Sequence, residues 1–138
     1  MADPTAICDA WLYTELTGDA TLMALITGVY ADVAPEGTAL PYVVFSLQTA
    51  RDRMTIEGNT ILTGGTYIVK AITDEPSYAT VATIMARVHT LLHQASGSGA
   101  GGTVIECVRE SVFHYVERVA ETNKLYRHLG GLYSLLVQ

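Results

Sequence analysis

Hydrophobic positions in the first part of the chain repeat at helical spacing. A first helix is predicted over residues 4–16, and Pro4 fits its first turn because proline needs no hydrogen-bond partner there. Gly18 interrupts the pattern, and Asp19 can cap a second short helix that ends at Gly28. The apolar side of the first helix consists of Ile7, Ala10, Trp11 and Leu16.

Alternating apolar and polar residues then predict strands. Pro41 precedes a strand over residues 42–49, whose core-facing side chains are expected to be Val43, Phe45 and Leu47. A second strand covers residues 66–73, and a closing hairpin is formed by residues 104–119 and 125–137 around a turn at 120–123. The second strand places Tyr67, Val69 and Ala71 on one face and Ile68, Lys70 and Ile72 on the other.

A strong helical pattern follows the second strand. It is introduced by the capping and acidic residues 74–77, with Pro76 in the first turn. Its apolar stripe consists of Tyr78, Val81, Ile84, Met85, Val88, Leu91 and Leu92. The segment after this helix, SGSGAGG at residues 96–102, predicts a flexible linker without structure of its own.

Residues 51–65 are polar and rich in turn-forming residues. They predict a long hairpin arm, with Gly58-Asn59 and Gly64-Gly65 in turns. Gly130-Gly131 in the last strand indicates a bulge or a close approach of two backbones. The order of elements predicts a single α+β domain over residues 1–138, a mainly antiparallel sheet of four to five strands with two main helices.

The strands carry apolar residues on their second face as well. Opposite the predicted core face lie Val44, Ile68, Ile72, Leu132 and Leu136, and residues 104–119 are apolar on both faces. Leaving each such side chain in water forgoes about 1.5–3 kcal/mol of burial. Two explanations stay open: the helical segments cover opposite faces of the sheet, or one face or edge is completed by another subunit.

Composition narrows the classes of function. The chain has 138 residues, 49% hydrophobic and 16% charged, which indicates a folded protein with few solvated charges. Eight basic and fourteen acidic residues give a net charge of −6, which argues against tight binding to nucleic acid. No apolar run has the length of a membrane span, and the N-terminal residues lack a signal-peptide pattern.

Candidate chemistry is sparse. His89 and His93 share a helix face, but the glutamate of a zinc-protease motif is missing. The spacing of Cys8 and Cys107 matches no metal-binding motif. We interpret them as reduced, partly buried thiols. His114 is expected nearly opposite His128 in the closing hairpin, as a cross-strand polar pair. We therefore expect no enzyme activity, no cofactor and no metal, with a small metal- or ligand-binding module as an alternative.

The region before the first long strand resembles a known family. The segments that carry the resemblance are Gly28-Val29-Tyr30, Asp32-Val33-Ala34-Pro35, Gly37 and Leu40-Pro41-Tyr42-Val43-Val44-Phe45. They are similar to the signature of small tail-terminator, or tail-completion, proteins of long-tailed bacteriophages. The rest of the chain matches that family in its layout of helices and strands.

The resemblance implies a structural virion protein at the tail–head interface, made in the host cytoplasm. It implies a homo-oligomer, a hexameric ring, that caps the tail tube, contacts the tube protein and the head–tail connector, and lets DNA pass without specific binding. A head-side adaptor or stopper of the neck is the alternative within the same class. The residues predicted to mediate assembly are Arg51, Asp52, Arg53, Met54, Ile56, Glu57, Ile61, Ile68, Ile72, Leu132 and Leu136.

Overall fold

Three helices and six strands make up the part of the chain that the computed structural model describes, residues 3–58 and 60–138. The helices are α1 (Pro4–Thr17), α2 (Ala20–Met23) and α3 (Ala79–Leu92). The strands are β1 (Val29–Ala31), β2 (Tyr42–Met54), β3 (Thr60–Thr73), β4 (Ala95–Gly99), β5 (Gly102–Val119) and β6 (Lys124–Val137).

All strands join one sheet in the order β1-β2-β3-β6-β5-β4. The ladders between β2, β3, β6, β5 and β4 are antiparallel, and only β1 pairs parallel to its neighbour β2. The α+β class and the mainly antiparallel sheet are confirmed, but the expected four to five strands are too few. The prediction missed β1 and β4 because they have only three and five residues and lack a long alternating pattern.

Both N-terminal helices begin with an aspartate cap, which was predicted for Asp19 but not for Asp3. The carboxylate of Asp3 accepts hydrogen bonds from the backbone N–H groups of Thr5 and Ala6 at the start of α1. Asp19 caps α2 through the N–H of Leu22 at 2.9 Å. The second helix is a single turn and ends well before Gly28, so its predicted length is wrong.

Asp19 also ties the helices together. Its two carboxylate oxygens accept hydrogen bonds from Nε and Nη2 of Arg87 in α3, at 2.8 and 2.7 Å. The hydrogen bond from Arg87 is the main cause that lowers the pKa of Asp19 to about 2. The start of α2 is thereby fixed against the middle of α3.

The predicted start of α3 is displaced by two residues. The helix begins at Ala79, after Tyr78, which makes no side-chain cap. Residues 75–78 form bends before it, so Pro76 is not in the first turn. The apolar stripe is confirmed: five of its members are buried, and Tyr78 and Leu91 pack against the core at its border.

One hydrophobic core lies between the helices and a single face of the sheet. The helices contribute Ile7, Trp11, Leu12, Leu16, Leu22, Val81, Ile84, Val88 and Leu92. The sheet contributes Val43, Phe45, Tyr67, Val69, Ala71, Val104, Cys107, Tyr133, Leu135 and Val137. The predicted faces of β2 and β3 are confirmed except at Leu47, which is 38% exposed because it lies where β2 leaves the core.

The segment predicted as a flexible linker is a β-hairpin, and that prediction is wrong. Residues of β4 pair antiparallel with the start of β5, from Ala95 opposite Cys107 to Gly99 opposite Gly102. Ala100 and Gly101 make the turn with positive φ values of 51° and 84°. The strand was missed because glycine and serine give no apolar pattern. Main-chain pairing with β5 and the packing of Ala95 against the core hold it in the sheet.

The arm predicted over residues 51–65 is the outer half of the β2–β3 hairpin. Gly64 and Gly65 are not turn residues as predicted, because they pair with Arg51 and Ala50 in the ladder. Gly58, with φ of 86°, lies in the turn as expected, whereas Asn59 lies outside the described residues. The arm is therefore a continuation of the sheet and not a loop.

The turn before β2 also follows the sequence. Gly37 has φ of 81°, and the N–H of Thr38 donates to the carbonyl of Pro35 at 3.1 Å. Pro41 directly precedes β2, and its carbonyl accepts from the N–H of Thr27. These contacts close the loop that brings β2 beside the parallel strand β1.

Candidate assembly surfaces

The sheet face opposite the helices is the first candidate surface, and we call it the open face. The cross-strand registers place Val44, Ile68, Ile72, Leu132 and Leu136 on it, as the sequence predicted. The three helices described all pack on the other face. The explanation in which helices cover both faces is therefore wrong.

Burial varies along the open face. Val44 and Ile72 are 3% and 7% exposed, because the neighbouring strands and the loop before β2 enclose them. Ile68, Leu132 and Leu136 are half-buried. The face is thus an apolar floor that is only partly covered by its own chain.

Near the start of β6 the open face carries a polar-aromatic cluster. The rings of Tyr115 and His128 stack with centroids 4.4 Å apart, and Nζ of Lys70 donates to the Tyr115 hydroxyl at 2.8 Å. Nε2 of His128 lies 3.1 Å from Oε1 of Glu117. Burial lowers the pKa of His128, while the hydrogen bond with Glu117 acts in the opposite direction.

The expected pairing of His114 with His128 is wrong by one residue. Tyr115 is the partner of His128, and His114 lies opposite Leu129. Because a shift of one residue turns a side chain to the other face, His114 lies on the helix side, where its ring packs on Tyr78 at 4.6 Å.

The other end of the open face forms a shallow groove of about 270 Å³. Arg53 of the hairpin arm lines this groove together with Glu106 and Glu110 of β5. Charges of both signs therefore surround an apolar floor that includes Leu136. The groove spans the four long strands, from Arg53 on β2 to Glu106 and Glu110 on β5.

The hairpin arm places most of its predicted assembly residues at the surface. Met54 and Ile56 are 63% and 106% exposed, and Arg51, Asp52, Arg53 and Glu57 are exposed as well. The carboxylate of Asp52 accepts a hydrogen bond from the Thr63 hydroxyl at 2.7 Å. The side chain of Ile61, which belongs to β3, lies outside the described part of the chain.

Two sheet edges are further candidate surfaces, which the sequence patterns did not locate. β1 covers β2 only at Val43–Phe45, and β4 covers β5 only as far as Cys107. We call residues 46–54 of β2 edge A and residues 110–119 of β5 edge B. Within the described residues neither edge has a neighbouring strand.

Edge B is unusually apolar for a strand in solvent. Val112, Tyr115 and Val116 are 57%, 42% and 46% exposed. The apolar residues on both faces of 104–119 were the one sequence signal for this surface. Edges of this length and composition are sites for pairing with another chain.

Gly130 and Gly131 confirm the predicted close approach of backbones. A Cβ atom on Gly130 would lie 2.5 Å from Cβ of Lys70 and 2.6 Å from the carbonyl oxygen of Val69. The neighbouring strand β5 has a register shift between Arg109 and Ser111, opposite this region. These glycines let the middle strands of the curled sheet approach each other.

The two histidines considered for a metal do not assemble a site. Their rings stack at 4.6 Å, and Nδ1 of His93 accepts a hydrogen bond from the backbone N–H of Arg109 at 3.1 Å. Among residues 3–58 and 60–138, no group of three His, Cys, Asp or Glu side chains could hold a metal ion. In the same residues, no helix is long and apolar enough to cross a membrane.

Comparison with known proteins gives a family and a fold. The family described as "Tail completion protein gp17" matches residues 10–129. A chain of the solved structure "Virion of native gene transfer agent (GTA) particle" superimposes with a TM-score of 0.76 at 24% sequence identity, over 99% of this chain and 98% of that chain. The comparison with curated proteins gives no match.

Proposed function

The chain belongs to the tail completion protein gp17 family, and from this premise we propose that it forms a ring that caps the tail tube and joins it to the head connector. DNA would pass through the lumen of this ring. The family consists of structural proteins of virus particles, so the proposal concerns geometry and assembly.

The observation that supports a ring is the incomplete sheet. In the described part of the chain, one face of the six-stranded sheet has no helices on it and two long edges have no neighbouring strands. Two different edges on one subunit favour a head-to-tail contact, and such a contact closes into a ring when the rotation between copies allows it.

Charge on the open face is compatible with passage of DNA. Lys70, Arg51 and Arg53 are accompanied there by Glu106 and Glu117, so cations and anions are mixed on this surface. A protein that grips DNA instead presents many cations to neutralise phosphates. With a net charge of −6, the subunit is expected to let DNA slide.

The ring is tested by native mass spectrometry and light scattering on the purified protein, followed by electron microscopy with isolated tail tubes and with capsids. We expect a closed oligomer, a hexamer, bound to the end of the tube. A strict monomer that also leaves tube ends bare would contradict the proposal. Binding to capsids but not to tubes would identify a head-side adaptor instead.

A further inference from the structure

The two uncovered sheet edges fit each other, and we propose that edge A of one copy pairs antiparallel with edge B of the next copy. The inference rests on the proposed ring and specifies its subunit contact. The partner is a second copy of this chain, and the product is one sheet that continues around the ring with the open faces inside.

Strand direction permits this pairing. Within one subunit β2, β3, β6 and β5 alternate in direction, so β5 runs opposite to β2. Rotation about an axis roughly along the strands keeps these directions. β5 of one copy therefore meets β2 of its neighbour antiparallel, which is the more stable arrangement per residue.

The charges on the two edges are complementary on each face. On the open face, edge A carries Arg51 and Arg53, and edge B carries Glu117. On the helix face the signs reverse, because edge A carries Asp52 and edge B carries Arg118. The two edges thus carry opposite charges on each face of the shared sheet, and at a shift of about eight residues Arg51 lies opposite Tyr115 and diagonal to Glu117.

The same charges oppose the pairing of edge A with itself. In an antiparallel pair of two copies of edge A centred on Asp52, Arg51 of each copy would lie directly opposite Arg53 of the other. Like charges in directly opposite positions destabilise a ladder, so the head-to-tail contact is favoured over a symmetric dimer.

The positions of the edges fix the tilt of the strands. Arg51 and Glu106 of one subunit lie at the same height along the strands. Arg51 pairs with Gly64, Gly64 pairs with Leu136, and Leu136 pairs with Glu106. To lie opposite edge B, the next copy must shift along the strands by about four to eight residues, or about 13–26 Å.

This shift builds up across one subunit, from its β2 to the β2 of the next copy. That distance is four spacings between neighbouring strands, or about 19 Å. The resulting strand tilt is about 35–55°, and the lower part of this range meets the 35–45° typical of closed sheets. Six copies would contribute about 24 long strands, more than the 16–18 strands that already enclose an aqueous channel.

Disulfide formation between engineered cysteines tests the pairing. Ala50→Cys is combined in turn with Val112→Cys, His114→Cys and Val116→Cys, because all four positions lie on the helix face and the three partners sample the allowed shifts. Under mild oxidation we expect a ladder of covalent oligomers up to the full ring with one of these pairs. Two single variants mixed together should give only dimers.

Three controls accompany the test. The parent chain should stay uncrosslinked, because burial raises the pKa of Cys8 to about 11 and that of Cys107 to about 12. Thr49→Cys with Val112→Cys places the two thiols on opposite faces and should give no ladder. Ala50→Cys alone should not dimerise.

The outcomes separate this inference from the proposed ring. Rings detected by native mass spectrometry without a ladder from any of the three pairs would overturn the edge pairing and leave the ring intact. Efficient dimers from Ala50→Cys alone would overturn it in favour of a symmetric contact. The absence of both rings and ladders would overturn the edge pairing together with the ring.

Discussion

The helix-covered face of the sheet is complete within one chain, whereas the open face is not. On the covered face Leu12, Val43, Tyr67 and Leu135 lose all or nearly all of their contact with solvent. On the open face Ile68, Leu132 and Leu136 stay half-buried. The difference indicates that the folding free energy comes mainly from one face, and in the proposed ring the other face is available for assembly.

The largest expected effect separates the two faces directly. Leu12→Ala removes a fully buried side chain and should lower the free energy of unfolding by about 2–5 kcal/mol. Leu132→Ala should cost about 1 kcal/mol, because this side chain is only half-buried in the monomer. Urea denaturation below the concentration of assembly measures both.

The order of the effects of Leu12→Ala and Leu132→Ala should reverse when ring formation is measured instead of stability. If Leu132 lines the ring, its replacement reduces ring formation more than its small cost in stability explains. Equal losses of stability for Leu12→Ala and Leu132→Ala would contradict the division between the faces.

The second effect concerns the close approach of strands under the open face. Gly130→Ala should destabilise the monomer by about 1–3 kcal/mol, because its Cβ would collide with the backbone of β3. Gly99→Ala, in the exposed β4 hairpin, is the matched control: nothing lies within 4 Å, and its effect should stay within about 0.5 kcal/mol. A tolerated Gly130→Ala, by thermal or urea unfolding, would show that the strands separate easily there.

The third effect is a pH dependence that belongs to the open face. Burial lowers the pKa of His128 below its ordinary value of 6.5, so the unfolded chain takes up a proton at higher pH than the folded chain does. The stability contributed by neutral His128 is therefore complete above pH 6.5 and is lost as pH falls below it. Thermal unfolding from pH 8 to 5 should show this loss.

A variant isolates the contribution of this histidine. His128→Asn should flatten the pH profile between pH 7 and about 5 relative to the parent chain, whatever its stability at neutral pH. An unchanged profile would mean that Glu117 and Lys70, which face His128, compensate its protonation or that other groups dominate.

The smallest expected effect on stability is in the hairpin arm. Replacing residues 53–62 with Asn-Gly keeps the pair of Asp52 with Thr63 and closes β2 and β3 with a tight turn. The monomer should lose less than about 1 kcal/mol, since Met54 and Ile56 are exposed, while ring formation should fall. Loss of folding would show that the arm is part of the core.

Much of the fold follows from local patterns. The stripes of α1 and α3 and the faces of β3 were predictable because side-chain direction repeats with the period of each element. Such patterns missed β4, because its glycine and serine residues do not alternate between apolar and polar. They also misplaced His114 by one residue, because the alternation within two strands does not determine the exact position of the turn between them.

The candidate surfaces were predictable only in part. The apolar residues of the second face, such as Ile68 and Leu132, were correctly placed from their parity. The arm at Arg51–Met54 was found for its polarity, although it is a pair of strands and not an excursion. Edges A and B could not be found, because an edge is open only when β1 and β4 are short and nothing else covers them.

By itself, the sequence determined the helices, the parity of the long strands and the segment at Gly28–Phe45 that carries the family resemblance. Only the tertiary structure decided that all three described helices pack on one face and that two long edges stay uncovered. The physical reason is that periodicity reports the direction of each side chain relative to its own element. The face that a helix covers and the neighbour that a strand receives depend on the path of the chain between elements.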